Sequence, residues 1–356
     1  MSATRAPRVL VLGTLLGQPM GGVRRHNAEL LPRAAEILED RGGTLAVMEG
    51  REPIAFPLPP RIRIIRTGAV AHPVLARFAT EGRAVRRALA GFDLVHTGHL
   101  PAPYLSSTPF TITVHDLRHL EPGHSSELRR SAAAALLSRA IGRAARVITV
   151  SETVRAAILE RFRIETERVL VVPNAADHFA PLPRSVAHDA PILHVGHLEP
   201  RKNLELLLRA LALDRGLPRL ELAGAGKGAE EERLRTLARE LGVEARVRFL
   251  GPVDDAELPA LYAGAACVVL PSTIEGFGIP AIEAQRAGAP LAIARTPTLV
   301  EVAGPQAPSF SPEDPAECAG AIRKAIAGPS ASGNAGRFSW DASARLLVEA
   351  WTAASS

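Results

Sequence analysis

Short apolar runs separated by stretches of helical spacing recur along the whole chain, and this alternation restricts the fold more than any other feature. Arg8–Gly13, Leu45–Met48, Arg61–Ile65, Asp93–Thr97, Phe110–Val114, Arg146–Val150 and Val169–Val172 read as strands, as do Ile192–Val195, Arg219–Leu222, Arg246–Leu250, Val268–Leu270 and Pro290–Ala294. Strands this short and this uniformly apolar suit a parallel sheet covered on both faces, where each pair needs a crossover helix between them. An α/β fold follows. At 356 residues the chain is long enough for two domains of ordinary size. Composition turns rich in Pro and Ala over 178–190, which reads as a linker. The expected domains are 1–180 and 190–335, followed by the amphipathic segment FSWDASARLLVEAW in a terminal helix over 336–356.

The stretch VVLPSTIEGFGIPAIEAQRAGA, Val268 to Ala289, carries the strongest chemical signal. Pro271 stops an apolar strand, the loop Ser272 to Gly278 opens at its carboxyl end, and Pro280 suits the first turn of a following helix. Ligands of open α/β sheets bind at that edge. Glu275 and Glu283 would repel phosphate and are better suited to accepting hydrogen bonds from sugar hydroxyls. Phosphate has a better site near Arg201 and Lys202, just ahead of a helix expected to be capped by Asn203. Gly21 and Gly22 place backbone amides at the start of another helix, and His115-Asp116 directly follows the strand FTITV. Ser151 reads as a helix cap, since no G-x-S-x-G surrounds it. Asp254-Asp255 reads as capping of a helix over Glu257 to Tyr262. Gly224, Gly226 and Gly228 do not keep the dinucleotide spacing. The pairs His96/His99 and His115/His119 fall on strand ends and loops, so no metal site is expected.

Charge is unevenly spread. Residues 1–188 hold 25 Arg, no Lys and 16 acidic residues, a net +9, whereas the remainder is −4. A basic first half suggests an anionic partner such as a lipid headgroup surface or a phosphorylated acceptor. With aromatics at 4% and no stacking platform, nucleic acid is not expected. Two cysteines, Cys267 and Cys318, build no disulfide framework and suit a reducing cytosol. Arg5, Arg8 and the run Val9 to Leu16 read as a first strand rather than a signal peptide, and no apolar segment has the length to span a bilayer.

EGFGIPAIEA, Glu275 to Ala284, resembles the E-x7-E signature of the retaining glycosyltransferases of family 4, and further motifs of that family occur in order along the chain. The resemblance implies the GT-B architecture: two Rossmann-like domains facing across a cleft, with the terminal helix crossing back onto the first. It implies a nucleotide-sugar donor, with Glu275 approaching the sugar, Glu283 holding the ribose hydroxyls, and Gly276, Phe277, Gly278 and Ile279 lining the site. Gly21 and Gly22 match the family's GGV loop facing the diphosphate, and His115 matches a strand-end His that abuts the sugar. Asn174 lies in VVPNAAD, which is similar to the segment leading into the second domain, and Gly251 and Val253 match a loop near the base. Lys202 matches a diphosphate-clamping Lys; the Arg that accompanies it in the family is His197 here, which leaves open whether Arg201 takes that role. Retention of configuration without metal or cofactor is implied. LEPRKNLE suggests GDP-mannose as donor, a UDP-sugar second, with a glycan, lipid-linked or other anionic acceptor. A cytoplasmic protein in peripheral contact with the inner membrane face fits that acceptor. The rival readings are a nucleotide-sugar epimerase or hydrolase of the same fold and a non-catalytic sugar-nucleotide binding subunit.

Overall fold

The structure is a computed structural model that describes residues 5–18, 21–100, 107–121, 126–328 and 333–355. The chain divides into two compact units, one of Met1–Asn174 with Trp340–Ser356 and one of Ala175–Ser339.

In the first unit the order is β1 (Arg8–Leu12), α1 (Gly21–Asp40), β2 (Thr44–Glu49), β3 (Arg63–Arg66), α2 (Val74–Ala88), β4 (Leu94–Thr97) and β5 (Phe110–Val114). Next come α3 (Glu127–Arg143), β6 (Arg146–Thr149), α4 (Glu152–Arg161) and β7 (Val169–Val171). The strands form one sheet in the order β3-β2-β1-β4-β5-β6-β7, and every pairing is parallel. β1 sits between β2 and β4, with Val9 opposite Leu45 on one side and Leu94 on the other. Leu10, Val95, Ile112 and Val147 are buried together with Val85, Ile141 and Ile158 from α2, α3 and α4. Ser151 caps α4 as expected, its side chain accepting from the Val154 amide at 3.2 Å.

The second unit runs β8 (Ile192–Val195), α5 (Leu204–Leu213), β9 (Leu220–Ala223), α6 (Glu230–Glu240), β10 (Val247–Gly251), α7 (Leu258–Gly264) and β11 (Cys267–Leu270). It continues through α8 (Ile279–Arg286), β12 (Leu291–Ala294), α9 (Pro297–Ala303), β13 (Ser309–Phe310) and α10 (Pro315–Ala327). Its sheet, β10-β9-β8-β11-β12-β13, is also wholly parallel. Both units are thus Rossmann-like, as the strand alternation requires.

The last helix, α11 (Trp340–Ser355), belongs to the first unit and packs on α1. Its apolar face buries Trp340, Leu347, Val348 and Trp351, and Ser343 Oγ donates to the Pro173 carbonyl at 2.7 Å. Arg33 of α1 meets Asp341 at 2.9 Å.

Three expectations need correction. The division falls between Asn174 and Ala175, ahead of the 178–190 linker. Most of that stretch is anchored to the second unit, because Arg184 donates to the carbonyls of Tyr262 and Ala265 at 2.7 and 2.8 Å and Phe179 packs edge-on against Tyr262. Asn203 gives α5 no side-chain cap: it lies in the left-handed region at φ 52°, and its amide donates to the carbonyls of Pro271 and Pro312. Asn tolerates that conformation better than most residues. Ahead of α7 the Asp254 amide donates to the Glu257 carboxylate at 3.1 Å, and the N-cap residue Glu257 makes no side-chain cap hydrogen bond to the helix. β13, two residues long, was too short to leave a pattern.

Trp351→Ala should destabilise the first unit by about 3–5 kcal/mol, since a fully buried indole leaves a large cavity. Chemical denaturation followed by hydrogen exchange checks this: amides of β1, β4 and β5 should lose protection while those of β8 and β11 keep theirs.

Candidate functional site

All strands of the second unit point the same way, so the residues that follow β8 and β11 emerge at one edge of the sheet. After β8 the chain passes Gly196 and His197, makes a 3-10 turn over Pro200–Lys202, and enters α5. After β11 comes the loop with Glu275, and Gly278 in a left-handed conformation (φ 87°) starts α8 with Pro280 in its first turn. The two loops are joined by the Thr273 amide donating to the Arg201 carbonyl at 2.9 Å.

That edge holds a buried ion cluster. Lys202 Nζ lies 2.5 Å from Glu275 Oε1 and Arg201 Nη1 lies 3.0 Å from Oε2. Ser272 Oγ donates to Oε1 at 2.8 Å, and Thr298 Oγ1 holds the Glu275 backbone carbonyl at 2.9 Å. Burial alone would raise the Glu275 carboxyl, but Lys202 and Arg201 outweigh it and hold the group down at about 2. The same burial pushes Lys202 below the usual lysine value, with Glu275 acting against it. Lys202 is therefore not an open cation laid over helix amides, as its sequence position suggested; its side chain is 9% exposed and paired. Arg201 is bound at the same carboxylate, at the Ile274 carbonyl and at Glu199. His197, half-buried beside this cluster, is shifted down by burial and then by Lys227.

Glu283, in α8, is also buried. Its Oε2 accepts from the Tyr262 hydroxyl at 2.7 Å, and its Oε1 lies 3.1 Å from His178 Nε2. Phe277 turns its ring onto Phe338 at 5.2 Å, which leaves its backbone as the part able to meet a ligand. Gly276 and Ile279 flank it in the loop and at the start of α8. Gly251 ends β10 at φ 73° and accepts from the Gly224 amide at 2.8 Å, with Val253 partly exposed beyond it.

The remaining candidates lie in the first unit. Gly21 and Gly22 begin α1 and are exposed. Asn174 is buried, and its Oδ1 lies 2.8 Å from His26 Nδ1. His26 stacks edge-on against His115 at 4.7 Å and lies 6.4 Å from Trp340. His96 bonds Thr111 at 2.9 Å and faces Trp351. Burial drives all three imidazoles down, His26 to about 4, His96 to about 3 and His115 well below its ordinary value. The Nε2 of His115 is shielded from water and has no hydrogen-bond partner among the described residues. Among those residues no group of three or more His, Cys, Asp or Glu is placed to hold a metal ion. His99 instead meets Glu81 at 3.0 Å.

Sequence reasoning missed His178, Tyr262 and Ser272, and with them Glu199 and Lys227. Ser272 lies three residues before Glu275 and could have been found. Tyr262 and His178 lie 21 and 105 residues from Glu283 and left no local signal.

Comparison with known proteins places these sheets among glycosyltransferase folds. Residues 183–339 match the family model described as Glycosyl transferases group 1, and residues 20–178 match that of Glycosyltransferase Family 4. The O-antigen chain mannosyltransferase B of Escherichia coli is 34% identical over 186 residues, 47% of this chain and 48% of the relative. A D-inositol 3-phosphate glycosyltransferase of Corynebacterium jeikeium is 40% identical over 174 residues, 43% of this chain and 41% of its own. The chain thus spans about half the length of the curated relatives it matches. Among solved structures, the sucrose-phosphate synthase of Thermosynechococcus elongatus superposes with a TM-score of 0.75 at 22% identity, covering 96% of this chain and 94% of that one. The Anabaena protein HepE, solved with UDP and glucose, gives 0.72 at 23% identity, covering 96% and 98%. These likenesses establish the GT-B type of fold.

Two outcomes follow from the site. Glu275→Gln leaves a buried ammonium without its counter-charge and should cost about 3–5 kcal/mol, read as faster hydrogen exchange at β8 and β11. The first unit should lose stability in mild acid. Buried His26, His96 and His115 have folded pKa values below the unfolded value of about 6.5, so the unfolded chain takes up protons first; stability present above that pH is lost as pH falls toward 4, by up to about 1.4 kcal/mol per pH unit for each of them. Both tryptophans, Trp340 and Trp351, lie in this unit, so the midpoint of the fluorescence change on heating, followed between pH 7 and 4, measures it directly.

Proposed function

The chain belongs to the glycosyl transferases group 1 family, and from that membership we propose that it is a retaining glycosyltransferase using a nucleotide-sugar donor. The observation that carries this reading is the ion cluster at the edge of the second sheet, where Lys202 and Arg201 meet Glu275 within 3.0 Å. Cleavage at an anomeric carbon leaves negative charge on the departing diphosphate, and catalysis rests on stabilising it. Lys202 is the group proposed for that task. In the absence of donor its charge is met by Glu275; a bound diphosphate competes for the same ammonium and frees the carboxylate to accept from sugar hydroxyls. Arg201 braces Glu275 from the other side. Glu283, held by Tyr262 and His178, is the proposed ribose acceptor, and backbone groups of Gly276 to Ile279 line the donor. Gly251 and Val253 are proposed to lie near the base. His115, with Gly21 and Gly22, is proposed to contact the sugar and diphosphate.

GDP-mannose is the proposed donor, supported by the mannosyltransferase among the relatives; a UDP-sugar is second, supported by the UDP complexes of HepE. The basic first half supports a glycan, lipid-linked or other anionic acceptor. Leu75 on α2 and Leu128 on α3, the latter next to Arg129 and Arg130, are 83% and 80% exposed and support peripheral contact with an anionic membrane from the cytoplasmic side. Among the described residues no helix is long and apolar enough to cross a membrane.

Thermal stabilisation by GDP, UDP, ADP and dTDP sugars should single out one nucleotide series, and a panel without effect would overturn the donor reading. Lys202→Ala should lower turnover on that donor by about a hundredfold, since a charge-assisted hydrogen bond contributes about 1.5–3 kcal/mol and each 1.36 kcal/mol is tenfold.

A further inference from the structure

One cation at this edge takes no part in the reading above. The loop after β9 turns at Gly224 (φ 154°), where a side chain would collide with the Gly196 carbonyl oxygen, so the β8 and β9 loops run in close contact. Backbone bonds lock them together: the Leu198 amide donates to Ala225 and the Lys227 amide to Leu198, each at 2.9 Å. This register brings Lys227 to the side of His197, with its Nζ 3.3 Å from Glu199 Oε2. Glu199 Oε1 lies 2.6 Å from Arg201 Nη2. Lys227, Arg201 and Lys202 therefore form one row of positive charge, separated by Glu199 and Glu275.

Exposure distinguishes the three. The side chains of Lys202 and Arg201 are 9% and 13% exposed, whereas that of Lys227 is 43% exposed. For Arg201 to turn toward a ligand it would have to leave Glu199, Glu275 and the Ile274 carbonyl, stripping two buried carboxylates of a counter-charge. Lys227 gives up only a long, solvent-screened contact. Its flexible stem also lets the ammonium follow an anion that a fixed guanidinium would have to match in geometry.

We propose that Lys227, not Arg201, supplies the second positive charge to a diphosphate bound beside Lys202, with Glu199 holding its ammonium at the side of the cluster. This rests on the donor reading above and adds a binding residue to it. The departure at His197 then has a physical counterpart: the neighbouring loop carries the charge that this position lacks.

The test is titration calorimetry at low salt with inorganic diphosphate, UDP and GDP as separate probes, on wild type, Lys227→Ala and Lys227→Arg. Lys227→Ala should weaken inorganic diphosphate and the preferred nucleotide by about tenfold to a hundredfold, with its melting temperature unchanged, and Lys227→Arg should restore most of the loss. Wild-type affinity for diphosphate in Lys227→Ala overturns the assignment while leaving the donor reading intact. Lys227-dependent binding of inorganic diphosphate with no binding of either nucleotide keeps the assignment and sinks the GDP and UDP donor readings. A wild type that binds none of the three overturns both.

Discussion

Every strand in both sheets is parallel, and the rest of the structure depends on that constraint. A parallel pair cannot be closed by a hairpin, so each strand must be followed by a helix that returns the chain to the starting edge. All strand-to-helix loops within a unit therefore gather at one edge, whatever their distance in sequence. In the second unit this sets the loops after β8, β9 and β11 side by side and brings Lys202 to Glu275 across 73 residues. In the first it sets His96, His99 and His115 at the ends of neighbouring strands β4 and β5.

What collects at the two edges differs in kind. The second unit gathers charge: two carboxylates interleaved with three cations, each buried member matched by an opposite one. Such an arrangement is stable only while paired, which makes it responsive to an incoming anion that can replace a carboxylate at an ammonium. The first unit gathers neutral imidazoles against tryptophans from α11. Burial rather than ion pairing sets the protonation of His26, His96 and His115, and neutral rings suit sugar surfaces better than phosphates. The chemistry proposed for this protein draws on both properties.

Much of the fold was legible because it depends on local pattern. The apolar runs marked twelve of the strands to within a few residues, and Pro280 marked the start of α8. Ser151 was legible as a cap because its partner is three residues away. The site was legible only as a set of residue types. That Glu275 and Lys202 stand beside strand ends was legible, but that they bind each other was not, since charge pairing leaves no periodic trace. Asn203 looked like a cap because it precedes a helix; a 3-10 turn ahead of it placed the residue in the left-handed region and turned its amide toward other loops.

The sequence by itself determined the parallel α/β class, the strand-ending loops of the candidate site and the uneven charge of the two halves, because these reside in spacing and composition over a few residues. Only the tertiary structure decided which groups meet: His178 and Tyr262 on Glu283, Asn174 on His26, α11 on α1, and Lys227 beside the β8 loop. Those pairings depend on the register of whole elements packed against one another, a property of the assembled sheets that no local stretch contains.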